Sequence, residues 1–104
     1  MGELSDQTSD IVRRLFAPAE QAEAARLLEQ ECGSNLPFLG DLDKVRLERF
    51  RYAALKLSGG QLRSLQEAVV VAKRDWRDLL VAAGFANSLM IHKRWAEEVL
   101  STED

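Results

Sequence analysis

Apolar side chains recur along this chain at intervals of three and four, the period of a helix with one face turned inward. The first such block, "SDIVRRLF", offers Ser9 or Asp10 as a cap and sets Ile11, Val12, Leu15 and Phe16 on one stripe, which predicts a short helix over 9–16. Pro18 suits the first turn of a second helix, over 18–32, with Ala25, Leu28 and Cys32 facing inward and glutamates toward its N-terminal half, where the helix dipole favours them. Gly33 stops it, and "GSNLPFLGD" reads as a loop whose Leu36, Phe38 and Leu39 tuck back onto the core. A third helix, over 42–57 and capped by Asp41 or Asp43, collects Leu47, Phe50, Ala53, Ala54 and Leu57 on one face and ends before Gly59 and Gly60.

The fourth block is the longest. Residues 61–83 keep a seven-residue repeat, with Leu62, Val69, Trp76 and Ala83 in one row and Leu65, Ala72, Leu79 and Ala86 in the other, which marks a buried seam. Val69, Val70 and Val71 alone would suit a strand, but they sit inside a longer helical period, and period outweighs propensity. Asp75 and Asp78 suit a fresh cap, so the block is compatible with one helix or with two split near 73–75. Gly84 ends it, and Asn87 or Ser88 opens a last helix over 88–100 with Ile91, His92, Trp95, Ala96, Val99 and Leu100 opposite Lys93, Arg94 and Glu97. The expected fold is all-α, a compact single-domain bundle of about five helices spanning 9–101. Residues 1–8 are expected as a flexible N-terminal segment and 102–104 as a flexible tail.

Composition supports that expectation and narrows the chemistry. With 104 residues, 46% hydrophobic and 30% charged, the chain can bury a core without disulfide or metal. Cys32 is the only cysteine and His92 the only histidine, so the usual zinc-ligand spacings are absent, and neither metal nor cofactor is expected. A lone cysteine also fits a reduced, cytoplasmic setting. No apolar run approaches the ~18 residues of a membrane span, the polar start is unlike a secretory leader, and Asp6 stands where a myristoylation motif needs serine or threonine. No membrane attachment is expected.

Charge changes the picture more than composition does. The net value is −3, but residues 1–43 carry three bases against nine acids, 44–94 eleven bases against four acids, and 95–104 four acids and no base. Such asymmetry either holds the domain together internally or turns a basic face outward. On the third helix, Val45, Arg49, Tyr52 and Lys56 follow spacings of four, three and four opposite the expected core face, flanked by Arg46 and Arg51. An aromatic among cations fits an acidic protein segment or single-stranded nucleic acid. The alternatives are that the acidic second helix covers the stripe or that it is simply solvated.

Other chemistry-bearing residues have plainer readings. Arg74 and Asp78, four apart, make a surface pair, and His92, central on the apolar face of the last helix, is expected as a packed ring whose nitrogens neighbours satisfy. A Cys32–His92 thiolate pair has no local support. Leu57 to Gln61 spells "LSGGQ", which resembles in these five letters the signature of the ATP-binding-cassette ATPases. That family's Walker motifs are missing here, and the local reading is a two-glycine turn followed by a capping box from Ser58 to Gln61.

The function that follows is a small helical protein-interaction or adaptor domain without catalysis, with a protein partner or a second copy as its ligand. The partner-binding residues are Val45, Arg49, Tyr52 and Lys56, and Val45, Leu47, Tyr52, Leu55 and Met90 supply more apolar surface than one inward stripe per helix requires. The alternative is a nucleic-acid-binding module using the same basic face.

Overall fold

Several elements begin or end on a local signal. The computed structural model describes residues 4–31, 44–85 and 90–101, with the backbone alone at 44–47 and Trp76. Among them α1 spans Asp6–Leu15 and α2 Pro18–Arg26, the latter running on into a π-helical turn, Leu27–Glu31. Then come α3, Lys44–Ser58; α4, Leu62–Arg74; α5, Trp76–Ala83; and α6, Ile91–Ser101. The all-α bundle expected from the periodicity is what forms.

Ser5 caps α1 by accepting from the Thr8 amide at 3.1 Å, so the helix starts ahead of the Ser9 or Asp10 cap. Residues 6–8 lie in α1, and Thr8 is fully buried. Pro18 opens α2 as its first residue, where a missing amide hydrogen costs nothing. Asp75 settles the division of the fourth block. Its amide closes α4 on the Val71 carbonyl at 2.8 Å, its backbone turns extended, and its carboxylate accepts from the Arg77 amide at 3.0 Å to start α5. Gly84, at φ +80°, ends α5 in the left-handed conformation that glycine adopts most easily.

The expected capping box at Ser58 does not form. Ser58 is still helical, buried, and its hydroxyl donates back to the Leu55 carbonyl at 2.6 Å while accepting from the Gly60 amide at 3.2 Å. Gln61 takes the cap position of α4 without a side-chain bond. A serine at the end of one helix finds its own carbonyls nearer than the next helix's amides.

The core forms around α3, which packs against α1, α4, α5 and α6. Phe50, Arg51, Tyr52, Ala53, Ala54 and Leu55 are buried in succession, which is possible only for a helix enclosed on several sides. Leu57, expected inward, is instead 36% exposed. On α4 and α5, Leu65, Val69, Ala72, Leu79 and Ala83 are buried as the seven-residue repeat requires, and Leu62 is half-buried. Cys32, the 33–41 loop, the Asp41 or Asp43 cap, Ala86, the Asn87 or Ser88 cap and the 102–104 tail lie outside the described residues, as does the side chain of Trp76.

Candidate functional site

Of the stripe that the sequence places on a solvent face, Tyr52 is turned inward, Arg49 is half-buried and Lys56 is exposed. Tyr52 is 1% exposed and belongs to the core. Arg49 donates from Nη2 to the Phe85 carbonyl, and Lys56 donates from Nζ to the Ala83 carbonyl at 2.8 Å while standing 5.1 Å from the centre of the Phe85 ring. Ala83 closes α5 and Phe85 follows it, so both cations sit at the end of that helix, where the last carbonyls have no helical donor and the dipole is negative. Arg51, 2% exposed, reaches the other way and donates from Nε to the Leu28 carbonyl in the π turn at 3.2 Å. Arg49, Arg51 and Lys56 of α3 therefore hold carbonyls of neighbouring elements. Val45 lies in the first turn of α3, with its side chain outside the description.

The burial of Tyr52 has a physical reason. A wheel assigns one inward face per helix, and a helix packed on several sides has more than one. Tyr52 packs against α1 and α6, and the end of α5 meets Arg49 and Lys56, while α2 itself packs on α1 and α4.

What opens beside Tyr52 is a small polar cleft of about 290 Å³, lined by Gln7 of α1, Glu48 and Tyr52 of α3, and His92, Lys93 and Glu97 of α6. The Tyr52 hydroxyl donates to Glu48 Oε1 and lies 3.0 Å from Gln7 Oε1. Burial, and then the hydrogen bond to Glu48 and its charge, hold the phenol well above its ordinary value of 10. His92 is 1% exposed, with ring centroids of Tyr52 at 5.8 Å and Phe85 at 6.3 Å. Burial lowers its pKa from 6.5, the Arg49 and Lys93 charges lower it further, and Glu48 opposes them, so the ring is neutral at pH 7. Its burial follows the sequence expectation but its bonding does not, because Nδ1 has no hydrogen-bond partner among the described residues.

No family model, curated protein or solved structure matches this chain. Its chemistry must therefore be argued from the cleft itself. A general base is oriented through its second nitrogen and paired with a nucleophile. Nδ1 of His92 makes no such bond among the described residues, and the neighbouring phenol is held protonated. Asp75 caps α5 and Asp78 is exposed in the first turn of that helix, neither of them lining the cleft. Among the described residues no group of three or more histidine, cysteine, aspartate or glutamate side chains is placed to hold a metal ion, and no helix is long and apolar enough to cross a membrane.

Gln7, Glu48 and Glu97 are cleft residues that the sequence reading does not single out, because each looks like ordinary solvated polarity. The available signal is that Tyr52 and Leu55 fall off the apolar stripe of α3 and still need burial. That marks a second buried face and the polar groups bordering it.

Proposed function

We propose that the chain is a helical protein-interaction domain, and that an amphipathic helix of a partner protein docks on the outward faces of α4 and α5. Val70 and Val81 support this reading, at 60% and 66% exposed. On α4 the buried Leu65, Ala68, Val69 and Ala72 share one side, and Val70 sits near the middle of the opposite side, at wheel positions between those of Gln66 and Arg74. On α5, Leu79, Leu80 and Ala83 point inward and Val81 stands opposite. Neither valine is a rim residue half covered by the core. Valine loses rotamer freedom in a helix and here buries little in return, whereas covering it would contribute about 1.5–3 kcal/mol. Docking on these faces is favoured over phosphate binding because Arg49 and Lys56 are engaged by the end of α5 and Tyr52 is in the core.

A Val70→Glu/Val81→Glu double variant distinguishes a docking surface from structural packing. Its folding stability should stay within about 0.5 kcal/mol of the parent, as for surface changes generally. Its affinity for the protein recovered with the parent chain, measured by calorimetry with both components purified, should fall tenfold or more. Unchanged affinity, or a stability loss above about 1 kcal/mol, would refute the assignment. Light scattering on the chain alone supplies a further outcome: self-association abolished by the double variant puts a second copy where the partner is proposed.

A further inference from the structure

We propose that His92 is an acid-operated latch, whose protonation releases α6 from α1 and α3 while the rest of the bundle stays folded. α6 packs chiefly on those two helices, and His92 occupies the middle of its inward side with Ala96, where a leucine would serve if attachment were the only requirement. The ring is enclosed by Tyr52 and Phe85, and Trp95, one turn on, lies 5.9 Å and 6.1 Å from the same two rings. These rings form an aromatic cage around a titratable group, bordered on one edge by the polar cleft.

Its hydrogen bonding makes the cage selective for the neutral form. A neutral imidazole can leave one nitrogen bare, but an imidazolium carries a hydrogen on both. Nδ1 is sealed from solvent with no acceptor among the described residues, so the charged form would bury an unpaired cationic donor. The surrounding charges do not rescue it. From α3, Arg49 repels a second cation and Glu48 attracts one, but Glu48 already accepts the Tyr52 hydroxyl. From α6, Lys93 repels, and Glu97 stands across the cleft lining. From α1, Gln7 faces the cleft as a neutral amide. The 290 Å³ cleft gives the proton a route to the ring's edge.

The sign follows from linkage. Released, His92 returns to the ordinary 6.5, whereas docked it lies lower. Docking is fully stabilised above 6.5, weakens as the pH falls through 6.5 toward the docked value, and weakens no further below it. Between the two the release equilibrium rises by up to about tenfold per pH unit. Release would uncover Tyr52, Phe85 and Trp95 together, an aromatic surface absent at neutral pH.

Because His92 is the only histidine, its ring resonance can be followed alone in the full chain by NMR from pH 7.5 to 4.5, beside the amide resonances of α4 and α6. The expected result is that α6 amides move to unfolded positions as the pH falls below the ordinary 6.5 while α4 amides stay put, with the same midpoint as the ring. A His92→Phe variant should keep α6 docked throughout. Titration of the ring near 6.5 with α6 unmoved, loss of α4 and α6 together, or the same acid response in His92→Phe would each overturn the latch. If His92→Phe does not fold, the parent's titration decides alone, because only release confined to α6 and matched to the ring supports it.

Discussion

Tyr52→Ala should lower the folding stability by about 3–5 kcal/mol, the range for emptying a buried aromatic site. Tyr52 is 1% exposed at the centre of α3, within 6 Å of both the His92 and Trp95 ring centroids, and its removal would leave a void shared by α1, α3 and α6. Tyr52→Phe separates packing from hydrogen bonding. It keeps the ring and removes the hydroxyl's bonds to Glu48 and Gln7, and because both line an open cleft, their oxygens can return to water. The loss should then be about 1 kcal/mol. Urea melts of the two variants test this pair. A surface tyrosine on a partner-binding stripe would give nearly parental midpoints for both, so an alanine variant within 0.5 kcal/mol of the parent would return Tyr52 to the exterior.

The second large effect is expected at the turn between α3 and α4. Gly59 and Gly60 both have positive φ, +58° and +85°, but their surroundings differ. A Cβ at Gly59 would meet nothing within 4 Å, whereas one at Gly60 would run into the backbone carbonyl of Leu15 at the end of α1. Gly60→Ala therefore combines left-handed strain with an overlap against backbone, together about 2–4 kcal/mol. Gly59→Ala carries the strain alone, about 1–2 kcal/mol. Thermal unfolding of both variants reads the difference directly. Equal losses would mean that the turn does not rest on α1. The "LSGGQ" letters thus have a mechanical explanation: one glycine turns the chain and the next admits a neighbouring helix.

The helices were legible wherever a single inward stripe met a local stop signal. Asp75 shows this at its clearest, since a side chain able to cap a helix is also the place where the seven-residue seam changes element. Gly84 and Pro18 behave likewise. Caps were less legible, because Ser5, Ser9 and Asp10 all offer an oxygen near the start of α1 and only packing of Thr8 selects Ser5. The burial of Tyr52 was illegible for a different reason. Arg49 and Lys56 look solvated on a wheel, and nothing in the sequence says that the carbonyl end of α5 lies over them. Burial of the Tyr52 and His92 rings together depends on contacts between residues forty apart in sequence. Periodicity, a property of one helix at a time, does not contain that information.

α3 as an enclosed central helix is the claim on which the site, the latch and the reassigned docking surface rest. The chain has one tyrosine, so an ultraviolet titration of phenolate absorbance on the full chain reports Tyr52 alone. Enclosure predicts no phenolate signal at pH 10, the ordinary midpoint, and its appearance only at higher pH together with the loss of helical circular dichroism. A smooth, reversible titration centred on 10 with the helices intact would contradict it.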